Sequence, residues 1–164
     1  MKVVLGHGAS GNAASMKPYV VGFKSRHIDA TAVDLPKSNP ERATQVFVER
    51  SGRDVVAGGQ SYGGRMASMA AVEADFAGLV LFSYPLHRPG YPEQLRTKHF
   101  SEIRCPVLFM SGDRDPFARI DLLKKWVKAV PDARLEIFPG EGHGLLAVLD
   151  QALDVASNFI KALK

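Results

Sequence analysis

The sequence holds one cysteine, one tryptophan and no long apolar run, and each scarcity closes a class of explanation. Cys105 alone can form neither an internal disulfide nor a thiolate metal cluster. Standing before Pro106 at the head of an apolar run, it reads as a small buried filler in a reducing compartment. No apolar stretch reaches the roughly 18 residues that suggest a membrane span. Met1-Lys2 runs straight into Val3-Val4-Leu5 without the apolar region of a secretory signal. The expectation is a soluble, cytoplasmic protein with no membrane partner. Blocks of like charge are also missing. Lys and Arg number 21 against 17 Asp and Glu, a net charge of +4, and the basic residues are scattered without interleaved aromatics. That is a solvated surface rather than a phosphate-tracking stripe, so no nucleic-acid partner is expected.

What is present is an ordinary globular composition, 46% hydrophobic and 23% charged over 164 residues. It suits one domain over 1–164 with its own core. Short apolar runs alternate with stretches of helical period. The strand candidates are Lys2–Gly6, Thr31–Leu35, Asp54–Gly58, Gly78–Phe82, Val107–Ser111 and Arg134–Phe138, each nearly continuous in apolar character, as strands covered on both faces are. Between them, Asn39-Pro40 reads as a helix cap followed by proline at the first helical position. Ile120, Leu123, Trp126, Val127 and Val130 recur at helical steps, and so do Leu145, Leu149, Leu153, Ala156, Ile160 and Leu163. The alternation predicts an α/β fold: a three-layer α/β/α sandwich around about six parallel strands.

In such sheets ligands gather at the carboxyl ends of the strands. After the third strand candidate, Gly59-x-Ser61-x-Gly63 falls between strand and helix, the context required of a nucleophile elbow. A serine hydroxyl needs a base, and the base an orienting acid. His143, in the Gly140-Glu141-Gly142-His143-Gly144 loop, and Asp115, in Gly112-Asp113-Arg114-Asp115-Pro116, supply both. Asp113 should serve the turn. The backbone N–H groups of Ala9, after His7-Gly8, and of Tyr62 would form the oxyanion hole. His7 reads as a loop anchor, and His87 as a possible neighbour of the site. Tyr62, Met66, Tyr84, Leu86 and Phe117 are the expected pocket lining; no metal site is expected.

Together, His7-Gly8, Gly59-x-Ser61-x-Gly63, Gly112-x-x-Asp115 and Gly142-His143 resemble the α/β-hydrolase superfamily. Ser83-Tyr84-Pro85-Leu86-His87, with Pro106-Val107-Leu108-Phe109 and Ser111-Gly112, resembles a narrower subgroup. It holds small dienelactone-hydrolase-like proteins and hydrolase-like domains of the testis-expressed and NSL-complex type. The resemblance implies a serine hydrolase without metal or organic cofactor, acting on a small-molecule acyl substrate such as a carboxylic ester. The family sheet usually has eight strands; the six here imply a truncated version, lacking the first two and any cap.

Two rival readings stand beside it. Gly6-x-Gly8-x-x-Gly11, with Asp34 at the end of the next strand, has the form of a dinucleotide-binding fingerprint. Alternatively, the fold could serve as a binding protein with its triad idle. The segment from Ser83 to Arg104 carries Arg88, Arg96, Lys98 and Arg104 against Glu93 and Glu102. An anionic acyl group would suit it, but the favoured reading is an ordinary solvated loop.

Overall fold

Alternation at period two organises the interior. The computed structural model describes residues Met1–Lys164 and contains six strands: β1 (Lys2–Gly6), β2 (Asp29–Val33), β3 (Gly52–Gln60), β4 (Phe76–Phe82), β5 (Val107–Gly112) and β6 (Ala133–Phe138). They form one all-parallel sheet in the order β2-β1-β3-β4-β5-β6. The helices are α1 (Lys17–Ser25), α2 (Pro40–Val48), α3 (Tyr62–Glu73), α4 (Ile120–Val127) and α5 (Leu149–Lys161).

Successive strand residues point to opposite faces. Val4, Val55, Ala57, Leu79, Leu81, Val107 and Phe109 pack with Ala43 and Phe47 of α2, Met66 and Ala70 of α3, and Leu123 of α4. Val3, Leu5, Val56, Val80, Phe82, Leu108 and Met110 pack with Tyr19 and Phe23 of α1 and with Leu153 and Ile160 of α5. The result is the expected three-layer sandwich, with two helices on one face and three on the other.

Local chemistry sets the element ends. The Asn39 side chain accepts from the Arg42 N–H, with Pro40 at the first helical position, as the dipeptide foretold. The second strand lies two residues earlier than expected. Leu35 is buried, but its N–H donates to His7 Nε2 at 2.9 Å instead of joining the ladder, so β2 stops at Val33. No helix is long and apolar enough to cross a membrane. Cys105 is only half-buried, short of the full burial expected, and burial raises its thiol to about 11.

Candidate active site

The carboxyl ends of β1, β3, β4 and β5 converge because the strands run parallel and in register. Gly6 of β1 pairs with Gly59 of β3, and Gln60 pairs with Phe82 of β4. At this edge β3 turns abruptly into α3 through Ser61, whose φ of 52° and ψ of −116° lie where L-residues are rarely found. A conformation of that kind costs about 1–3 kcal/mol and needs fixed surroundings. They are present: the Ser61 N–H donates to Phe82 O at 2.8 Å, and the Ser61 carbonyl accepts the Arg65 N–H at 3.0 Å. A side chain on Gly63 would lie 2.3 Å from the Gly6 carbonyl, so only glycine lets the turn rest against the end of β1. The G-x-S-x-G pattern is therefore a packing requirement at this position.

Ser61 Oγ lies 2.8 Å from His143 Nε2, and His143 Nδ1 lies 2.8 Å from Asp115 Oδ2. An ionised carboxylate only accepts, so Nδ1 carries the ring proton. Nε2 then presents its lone pair to the Ser61 hydroxyl. The Asp115 side chain is fully buried, while that of His143 is about one quarter exposed. The second Asp115 oxygen accepts the Phe117 N–H at 2.8 Å, which fixes the carboxylate plane. Phe117 stacks its ring on the His143 imidazole, with centroids 4.1 Å apart and planes 25° apart.

The loops that carry Asp115 and His143 are joined to each other. Asp113 Oδ1 accepts the Gly140 N–H at 2.8 Å, and the Arg114 N–H donates to Glu141 O at 2.9 Å. Asp113 thus serves structure, though its acceptor role spans two loops instead of one local turn. A side chain on Gly112 would lie 2.1 Å from Glu141 O; its absence lets the His143 loop settle on the end of β5.

Sequence reasoning placed several other residues, and the structure treats them unequally. The Ala9 N–H has no acceptor within the protein, and Tyr62 opens the first turn of α3, where amides lack intrahelical acceptors. Tyr62 directly follows Ser61, and Gly8, before Ala9, closely approaches the Gln60 side chain. His7 is buried and anchors its loop: Nε2 accepts the Leu35 N–H, leaving Nδ1 to donate to Gly8 O at 2.7 Å.

Met66, Tyr84 and Leu86 do not line a pocket. All three are buried in the core under α3, where Tyr84 packs edge-on to Phe100 and Phe109 and donates its hydroxyl proton to Arg96 O at 2.7 Å. They misled because the segment after β4 folds back onto the sheet instead of standing over the serine. Phe117 is at the site, but the face it offers is taken by His143. Asp34 accepts the Ala13 N–H at 2.8 Å, and the glycine loop leads into a short 3-10 turn before α1, so the dinucleotide fingerprint is occupied with local structure.

His87 was foreseen only as a neighbour. It is buried, its N–H donates to Phe117 O at 3.0 Å, and its Nε2 accepts the Arg119 N–H at 3.0 Å. It therefore holds the segment that backs His143, a link between distant residues that no sequence spacing reveals.

A concavity of about 220 Å³ beside the site is lined by Gly8, Gln60, Tyr19, Gly144 and Leu146 among others. Larger hollows lie elsewhere, one of about 420 Å³ at the amino ends of β3 to β5, beside Arg53 and Cys105. No three His, Cys, Asp or Glu side chains stand together as metal ligands.

Comparison with known proteins agrees with this architecture. A crystal structure of a predicted CIB-like hydrolase from Thermoplasma acidophilum superposes with a TM-score of 0.79 at 19% identity, covering 99% of this chain and 86% of that one. A monoacylglycerol lipase from Paleococcus ferrophilus gives 0.80 at 15% identity, covering 96% and 93%. An esterase from Thermogutta terrifontis, with propionate bound, gives 0.73 at 17% identity, covering 98% and 82%. At these identities the likeness speaks for the fold. The family model described as an alpha/beta hydrolase domain matches residues 30–163. The chain belongs to the alpha/beta hydrolase domain family.

Proposed function

We propose that the protein is a serine hydrolase that cleaves small carboxylic esters through Ser61, His143 and Asp115. The observation that carries this reading is the unbroken chain of two 2.8 Å hydrogen bonds ending on a serine in a left-handed turn. Ser61 Oγ attacks the acyl carbon as its proton passes to His143 Nε2. The negative charge that develops on the former carbonyl oxygen is met by the N–H groups of Ala9 and Tyr62. Collapse breaks the bond to the leaving oxygen, which takes the proton from His143, and leaves an acyl group on Ser61. Water, deprotonated by His143, then attacks the acyl group; the acid departs and the serine is restored. Asp115 keeps the imidazole in the required tautomer throughout. No step needs a cofactor.

Esterase and lipase neighbours of the same fold support the choice of an ester bond, and the small concavity beside Gly8 and Gln60 favours short acyl chains. The Ser83–His87 sequence also supports placing the chain near the dienelactone-hydrolase-like, testis-expressed and NSL-complex subgroup. The test is hydrolysis of p-nitrophenyl butyrate by the purified protein. Wild type should turn the ester over, and Ser61→Ala should lose at least about a thousandfold in kcat. Equal rates in the two proteins would end the reading.

A further inference from the structure

The unexplained feature nearest the site is a set of cations without anions. Arg65, on α3 one turn beyond Ser61, makes no hydrogen bond to any protein group through its side chain, and its buried Nε has no partner. A guanidinium carries five donors, and leaving a buried one unmet is unfavourable. Arg88 and Arg96 lie in the segment after β4. Arg96 donates to Pro85 O at 3.3 Å, and Arg88 to Gln94 Oε1 at 3.2 Å while covering the Tyr91 ring. None of Arg65, Arg88, Arg96 and Lys98 forms a salt bridge, although the exposed Arg53 and Arg119 do.

Three of these charges, Arg65, Arg96 and Lys98, share one hollow. A cleft of about 360 Å³ between α3 and residues 95–102 is lined by Arg65, Arg96, Lys98, His99, Glu102 and the apolar Met69 and Leu95. Glu102 is the one acid on its wall, leaving an excess of two positive charges with His99 neutral. Burial, and then the Arg65 charge, pushes His99 down to about 4, so it adds no cation at neutral pH. Loss of hydration and the Arg65 charge also hold Arg96 below its ordinary value, with Arg88 pressing the same way. Arg65 lies four residues beyond Ser61, one helical turn along α3, so the cleft begins within a turn of the elbow.

We propose that this cleft binds a small carboxylate or phosphate anion, and that the anion is the charged end of the ester cleaved at Ser61. The second clause rests on the serine-hydrolase reading; the first does not. A carboxylate or phosphate would accept from Arg65 and Arg96 together, supplying the acceptors that the protein withholds.

Two measurements separate the parts. Titration calorimetry of Ser61→Ala with glutarate and with inorganic phosphate needs no turnover. Binding should appear for at least one anion and weaken about tenfold or more in Ser61→Ala/Arg65→Gln, with Arg65→Lys restoring part of it. An exposed lysine distant from the cleft, Lys161→Gln, should leave binding intact. Turnover is then compared in two matched pairs, p-nitrophenyl hemiglutarate against p-nitrophenyl valerate, and 4-acetoxybutanoate against butyl acetate. One pair should favour the anion about tenfold or more in kcat/KM, and Arg65→Gln should lower that ratio. Binding of neither anion overturns the site; binding without preference in either pair overturns its assignment to the substrate. Binding with no hydrolysis of any ester leaves the anion site standing and removes the hydrolase reading together with the substrate assignment.

Discussion

Ser61 and Ser83 end neighbouring strands and share an unusual backbone, with φ of 52° and 58°. Each amide donates at 2.8 Å to the adjacent strand, Ser61 to Phe82 O and Ser83 to Met110 O. Their hydroxyls differ completely. Ser61 Oγ is partly open and meets His143, while Ser83 Oγ is buried without a partner. The left-handed turn is therefore a way of leaving a parallel strand at this edge of the sheet. Chemistry needs the further conditions of access and a base, and only Ser61 has them.

The sharpest way to break the contrast is to disable the base while keeping both turns. Asp115→Asn should lower kcat on p-nitrophenyl butyrate by about 10⁴, since an amide favours the wrong imidazole tautomer. The variant should still melt cooperatively; activity within tenfold of wild type would assign the acid elsewhere. Ser83→Ala tests the other side. Removing a buried, unpaired hydroxyl should leave kcat/KM within about twofold and change stability by less than about 1 kcal/mol. A tenfold loss of activity would mean that Ser83 takes part after all.

Asp113→Ala removes the acceptor of the Gly140 N–H, and urea unfolding should show a loss of about 1 kcal/mol with activity largely kept. A further effect concerns pH. His99 is held near 4 in the folded protein, against an ordinary 6.5. As pH falls from about 6.5 toward 4, the unfolded chain takes up the proton first, so this residue withdraws stability over that window. His99→Gln should flatten the decline of Tm between pH 7 and 5, and an unchanged slope would contradict the assignment.

Local pattern made much of this legible. Strands covered on both faces announce themselves by continuous apolar runs, and β1 appears with the ends expected from Val3-Val4-Leu5 and Gly6. Edge strand β2 was shifted because Leu35 looks like a strand residue while its amide serves His7. The elbow and the Gly112-x-x-Asp115 loop were visible because close backbone approach leaves glycine at fixed spacing. Met66, Tyr84 and Leu86 were misplaced because nearness to a strand end says nothing about which way a side chain turns. The His87–Phe117–His143 backing and the Arg65–Arg96 cleft join residues from separate elements, and such pairings arise only when the chain folds.

The central claim is that Ser61, alone among the serines, is an activated nucleophile. Its most direct test is reaction of the folded protein with a fluorophosphonate, followed by intact-mass measurement and peptide mapping. A single adduct located on Ser61, and absent from Asp115→Asn at the same exposure, is the result expected. Lack of an adduct on the wild-type protein, or an adduct on Ser83 or another serine instead, would contradict the account.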